Sequence, residues 1–409
     1  MLILKKRIPK ISRSGSQILL VFIGFLLLFR FVLPFGDEPD FFYRAEKLLN
    51  AAHSQFSPYY LLAPAFDALY LIKGCKINSD VLSFWSYTGD KECVEPFGQA
   101  LIRFSITLFI CLPLIFVLVF RRFFYKFFRL LGWAADSEDW GRRADVLSLS
   151  LLFPGLIFYI GVLAEEQLVL VLSLLIFLAW RSKFFVCFLL IGIFSLDLGN
   201  GIVVLVFILT AIFFQVVDRV VGLRGVAILI LLMFGFSLFV GYTLLSHFES
   251  VALVGQKASS ISAKASSIGE EIRGKYPVIL RPIITFMTGV FMTPSGVKAI
   301  PAYVISFLGL IIVFRRIMVC ISDRSRRYDN GMNCENSQFR SACVDALAAI
   351  AIIGCFVFVL PDYANAKYYI FLVPFLFYVS SFVVCRHKIL IFNAVLSVTV
   401  LINLSLYRI

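Results

Sequence analysis

The chain has 409 residues, 60% of them hydrophobic and only 15% charged, with 45 Phe and a mean hydropathy of +0.93. Ordinary soluble domains are about 45–50% apolar and about 25% charged, so this composition excludes a soluble enzyme, a disordered chain and a nucleic-acid-binding module. The formal net charge of +13 reads instead as the Lys and Arg excess that membrane proteins keep in their cytoplasmic loops.

A hydrocarbon core about 30 Å thick needs roughly 20 apolar residues per helix. Taken in chain order, that ruler predicts spans near 17–35, 101–120, 144–163, 167–180, 184–199, 201–217, 226–245, 299–314, 343–361, 368–385 and 389–406. The stretch 278–292 is shorter and carries Pro282, so it reads as re-entrant or interfacial. The expectation is an all-α polytopic transmembrane bundle of about eleven spans. Its parts are residues 1–245, a second long outer loop over 246–298, and C-terminal helices over 299–409.

Lys5, Lys6, Arg7, Lys10 and Arg13 precede the first span, which reads as a signal anchor because no small-residue cleavage site follows it. With that end cytoplasmic, alternate loops are basic: Arg121, Arg122, Lys126 and Arg129, then Arg181 and Lys183, Arg219 and Arg224, Arg315 to Arg327, and Arg386 and Lys388. The pattern predicts a cytoplasmic N-terminus. Arg30, near the outer end of the first span, is expected to snorkel to the interface.

The first long outer loop, 36–100, opens with Gly36-Asp37-Glu38-Pro39-Asp40. Pro39 suits the first position of a helix, and Phe41, Phe42, Ala45, Leu48 and Leu49 give it an apolar face. A second apolar run, 57–67, is too short to span. Two interfacial helices on the outer leaflet are predicted, with Asp37, Glu38 and Asp40 at the mouth of the bundle or simply capping a helix. Cys75 and Cys93 share this loop, and a disulfide between them is sterically feasible in an oxidising compartment.

Glu165-Glu166 fills the short outer turn between the third and fourth spans. Adjacent carboxylates beside hydrocarbon are expensive unless hydrated, paired or used. Asp197 lies on the same side and reads as a turn residue rather than a ligand. The outer cations are Arg273, Lys275, Arg281 and Lys367. Such groups hold phosphate or pyrophosphate, or pair with lipid headgroups or with the outer acids. His53 and His247 have no metal-ligand spacing and read as loop residues.

These features resemble the GT-C superfamily of polytopic glycosyltransferases. The resemblance rests on Asp37-Glu38 at the start of the first outer loop, the amphipathic stretches after it, Glu165-Glu166 preceded by Phe153-Pro154-Gly155-Leu156-Ile157-Phe158-Tyr159, and Ala366-Lys367-Tyr368-Tyr369 leading to Pro374. It covers 1–245 well and the remainder loosely, and Lys367 stands where many members have Arg.

The resemblance implies inverting transfer of a sugar from a polyprenyl-phosphate or -pyrophosphate donor to an envelope glycan or glycolipid acceptor. The implied setting is the periplasmic face of a bacterial inner membrane. Asp37 would be the general base, Glu38 or Asp40 would orient the acceptor, and Glu165 or Glu166 would complete the acidic site. Lys367 with Arg273 or Arg281 would hold the phosphate. No cofactor is required; a divalent cation, Mg or Mn, would use Asp37 and Glu165. The partners implied are the lipid-linked sugar, its acceptor and membrane lipid.

Two other readings stand beside it. A Wzy-type O-antigen or capsule repeat-unit polymerase shares the two long outer loops, although outer Arg is sparse here. A lipid-linked oligosaccharide flippase or a transporter would place ionisable residues at mid-membrane on broken helices, whereas the acids here gather on one side.

Overall fold

The computed structural model describes residues 12–32, 57–62, 96–130, 137–249, 276–277, 280–291, 300–309, 311–312, 315, 334–360 and 366–408. Asp37, Glu38, Asp40, Arg273, Cys75 and Cys93, and the helix expected after Pro39, lie outside them. Among the described residues every regular element is helical and no strand occurs.

The helices run in order as α1 Ser12–Val32, α2 Pro96–Val119, α3 Arg121–Leu130, α4 Ser137–Ser150, α5 Pro154–Gly161, α6 Glu165–Leu178, α7 Lys183–Leu196 and α8 Leu198–Glu249. They continue as α9 Arg281–Phe291, α10 Ile300–Gly309, α11 Cys334–Val359, α12 Val373–Val383 and α13 Arg386–Arg408. Short 3-10 helices cover Pro58–Leu62, Ala366–Tyr368 and Ile370–Leu372.

Among the described residues, three helical segments are long and apolar enough to cross a bilayer: Leu198–Ser237, Ser337–Val359 and Arg386–Ser405. Counting each sharply bent pair as one span raises the number to 5. The sequence ruler expected about eleven, and the differences have local causes. The expected span 144–163 is broken: α4 and α5 meet at 80°, with Pro154 opening α5 after an extended Phe153. Similarly, Phe104–Val119 and α3 meet at 82°. The stretches expected as 167–180 and 184–199 form α6 and α7, helices of 14 residues each. The segment expected as 368–385 begins as 3-10 turns before the 11-residue α12.

The expected spans 201–217 and 226–245 run into each other across a kink at Gly222, whose φ of 73° and ψ of 176° suit a residue without Cβ. Pro282, expected to break 278–292, sits in the first turn of α9. There its missing N–H would have had no intrahelical partner anyway. At 11 residues, about 16 Å long, α9 is too short to span a bilayer.

Helix α6 lies in the interior, packed by α2, α4, α5 and α7. Its far end joins an aromatic cluster in which Phe375 meets Phe177, Trp180 and Phe207 at centroid separations of 4.9, 5.0 and 4.8 Å. The longest helix–helix contact joins α8 to α11. Outward-facing positions are also apolar, among them Phe109, Phe116, Phe188, Ile191, Leu209 and Leu231. Such a surface is stable against lipid tails, because helices satisfy their own backbone groups.

Candidate functional site

Chain direction brings three carboxylates to one end of the bundle. α5 ends at Gly161, three residues carry the chain across, and α6 starts at Glu165 after an extended Ala164 (φ −160°, ψ 167°). Glu165 and Glu166 thus occupy the first turn of α6, where the unpaired N–H groups and the macrodipole favour negative charge. Asp197 sits between α7 and α8 with extended backbone (φ −149°, ψ 112°). One of its carboxylate oxygens accepts the Gly199 N–H at 2.9 Å, and the other accepts from Asn200 Nδ2. That is an N-cap for α8. One oxygen from each of Glu165, Glu166 and Asp197 lies within 4.8 Å of the others.

A cation completes the group. Lys367, on the 3-10 helix Ala366–Tyr368, places Nζ 2.8 Å from Glu166 Oε1, with side chains 10% and 17% exposed. Its backbone is held from below: the Ala366 N–H donates to the Tyr159 hydroxyl at 2.9 Å, and that hydroxyl donates to the Gly289 carbonyl at 3.4 Å. The neighbouring Tyr369 is buried, its hydroxyl without a hydrogen-bond partner among the described residues, and its ring stacks on Phe286.

The described piece of the first long loop docks beside this group. Ser57 Oγ donates to the Leu196 carbonyl at 3.1 Å, one residue before Asp197. The Tyr59 hydroxyl donates to Gln167 Oε1 at 3.0 Å, one residue after Glu166. Gln167 is fully buried, and its Nε2 donates to Thr107 Oγ1 at 3.2 Å and to the Ile160 carbonyl at 2.6 Å. One amide therefore ties α2, α5, α6 and the loop together.

The structure thus brings Glu165, Glu166 and Lys367 together. Lys367 takes the alternative of pairing with an outer acid. Asp197, expected to be only a turn residue, caps α8 and joins the carboxylate group as well. Arg281 heads α9, its Nε donating to the Tyr276 carbonyl at 3.0 Å, about 12 Å along the helix axis from Gly289. Arg30 does not snorkel. It is 1% exposed, and its guanidinium donates to the carbonyls of Gly161 and Phe158 at the C-terminus of α5, the end that favours a cation.

The opposite end of α6 holds a network that no spacing in the sequence announced. Arg143 Nε pairs with Asp139 Oδ2 at 3.1 Å, and its Nη1 donates to the Phe177 carbonyl at 3.3 Å. The Tyr378 hydroxyl donates to Asp139. Asp345 faces Arg143 Nη2 at 4.0 Å and accepts from Gln215 Nε2 at 3.1 Å. Arg143 and Asp345 are each 1% exposed. Beside them Asp145 binds both Arg121 at 2.5 Å and Arg386 at 3.2 Å. Only the i, i+4 relation of Asp139 to Arg143 was visible in sequence; the rest is tertiary.

No protein-family model matches the chain, no curated protein matches its sequence, and no solved structure matches its fold.

Proposed function

We propose that the chain is a polytopic membrane glycosyltransferase that moves a sugar from a polyprenyl-phosphate-linked donor to an envelope glycan or glycolipid, at the periplasmic face of a bacterial inner membrane. The observation that carries the reading is the grouping of Glu165, Glu166 and Asp197, with Lys367 paired to Glu166, beside the segment 57–62, which follows Asp37 and Glu38 in sequence.

In the reaction, the acceptor hydroxyl attacks the anomeric carbon and the bond from that carbon to the phosphate oxygen breaks with inversion. Asp37 takes the hydroxyl proton as general base, with Glu38 or Asp40 orienting the acceptor. The departing phosphate gains negative charge, which Lys367 stabilises, with Arg273 or Arg281 as the second cation. The phosphate must draw the ammonium of Lys367 away from Glu166, so the acid sets how tightly the leaving group is held.

Glu165, Glu166 and Asp197 form an all-oxygen donor set that fits a hard divalent cation such as Mg or Mn. When bound, such an ion would supply charge neutralisation at the phosphate. Of the expected ligands Asp37 and Glu165, Asp37 lies outside the described residues, and Glu165 is joined by Glu166 and Asp197.

A second reading has its own observation. Arg143, Asp139 and Asp345 are ionisable groups inside an apolar bundle, a placement typical of ion and proton pathways. It supports a flippase or transporter.

The test is the envelope-glycan profile, by gel and mass, of a strain lacking the chain and complemented with wild type, Asp37→Asn or Glu166→Gln at matched membrane abundance. Loss of one sugar mass from both variants supports sugar transfer. Collapse of a ladder to one repeat assigns the polymerase reading. A full glycan from both variants removes the transferase reading and leaves transport.

A further inference from the structure

Helix α3 has the sequence Arg-Arg-Phe-Phe-Tyr-Lys-Phe-Phe-Arg-Leu, with four cations and no acid in 10 residues. It leaves α2 at an angle of 82°, so its axis lies nearly in the membrane plane when α2 crosses it. The turn is fixed by packing. Phe116 meets Phe120 and Phe124 at centroid separations of 4.5 and 6.1 Å. Trp140 Nε1 donates to the Arg121 carbonyl at 3.3 Å, and Arg121 is held by Asp145.

At 3.6 residues per turn, the side chains of α3 divide into three faces. Arg121, Phe124, Tyr125 and Phe128 turn toward the bundle, where Phe128 packs on Trp140 and Phe185 at 5.4 and 5.2 Å. Phe123, Phe127 and Leu130 form a second face and are exposed. Arg122, Lys126 and Arg129 form the third and are also exposed, about 100° round the helix from the exposed apolar side. Among the described residues no carboxylate pairs with any of these three cations.

This is the geometry of a helix half sunk in a leaflet: apolar side chains among acyl tails, a row of cations level with headgroups, and the third side fastened to the protein. We propose that α3 is a binding site for anionic phospholipid, with Arg122, Lys126 and Arg129 engaging phosphate headgroups of the leaflet at this end of the bundle. The occupant is a lipid rather than a soluble anion because the apolar face runs beside the cations along the whole helix. A free phosphate would leave Phe123, Phe127 and Leu130 in water. An acidic protein segment would do the same unless it brought an apolar strip of its own. The site lies at the same end as the buried Arg143 network, so lipid binding here concerns anchoring and is separate from the carboxylates of Glu165 and Glu166.

The experiment uses the full chain in nanodiscs of equimolar phosphatidylglycerol and phosphatidylcholine, with the lipids retained after release measured by native mass spectrometry. Wild type is expected to keep phosphatidylglycerol in preference. The R122Q/K126Q/R129Q variant should lose roughly fivefold of that preference per cation removed, while R122K/R129K keeps it. All three substituted side chains are exposed, and equal melting temperatures check that folding is intact. Retention of the preference by the folded triple variant would overturn the proposal. So would its displacement by inorganic phosphate or by poly-glutamate at matched charge, which would assign the face to a soluble anion or to an acidic protein.

Discussion

The Tyr59 hydroxyl and the Gln167 amide are joined across 108 residues of chain at 3.0 Å, and that bond fastens the first long loop to the helix that carries Glu165 and Glu166. Because Gln167 is fully buried, its carbonyl oxygen has no water to turn to when the partner goes. Tyr59→Phe is therefore expected to cost about 1–2 kcal/mol, read as a lower melting temperature in detergent. Gln167→Leu should cost more, since Tyr59 and Thr107 both lose a partner. An unchanged melting temperature for Tyr59→Phe would show that the loop is held by other means.

The pairing of Lys367 with Glu166 is mostly shielded from water, so removing one partner takes the nearest counter-charge from the other. Lys367→Met and Glu166→Leu are each expected to destabilise by about 3 kcal/mol. The double variant should fall well short of the sum, because it strands neither. Thermal unfolding of the four proteins measures the coupling. Strict additivity would mean that the two groups act independently.

At the other end, Arg143 serves Asp139, Asp345 and the Phe177 carbonyl at once. Arg143→Met leaves Asp139 with Arg181 at 3.6 Å and Tyr378, and Asp345 with Gln215, and is expected to cost about 3 kcal/mol. Asp345→Asn keeps the contact with Gln215 and removes one charge, so it should be far milder. Comparing membrane abundance and melting temperature of the two variants checks the ranking.

Two glycines should respond to the same substitution with opposite sign. A methyl at Gly155 would run into the Val290 carbonyl, a backbone atom of α9. Gly155→Ala is thus expected to push α9 away from α5 and cost about 1–3 kcal/mol. Gly235 in α8 has nothing within 4 Å of the added methyl, and Gly235→Ala should stabilise by roughly 1 kcal/mol through helix propensity. Melting temperatures of the pair decide the matter.

Hydropathy read the helical class of this chain and the positions of α11 and α13, because those helices are straight, long and apolar. It placed the break between 217 and 226, where Gly222 kinks the chain, but ran straight through the bend at Leu151–Phe153. A running average registers transfer energy but is blind to direction, and an 80° turn changes no residue's polarity. Glu165, Glu166 and Lys367 could be picked out because charge is scarce at that end of the chain. Asp197 was legible as the turn residue that caps α8, but its approach to Glu165 and Glu166 was not, since that depends on how α7 packs on α6. Gln167 gave no signal at all, its role depending on Tyr59, Thr107 and Ile160 arriving from three other elements. The contact of Arg143 with Asp345 and of Asp139 with Tyr378 depends wholly on how α4, α11 and α12 pack.

Helix α7 is 14 residues long, about 21 Å, and it turns Phe184, Phe188 and Ile191 outward. A hydrocarbon core is about 30 Å thick, so if α7 crosses it, as the hydropathy of 184–199 proposes, the film beside α7 would thin or dip to match it. Where it dips, headgroups descend toward Asp197 at the end of that helix. On the proposed glycosyltransferase reading, a sugar tethered to a long isoprenoid tail would then reach the carboxylates without its chain leaving the bilayer, the depression in the membrane acting as the approach to the site.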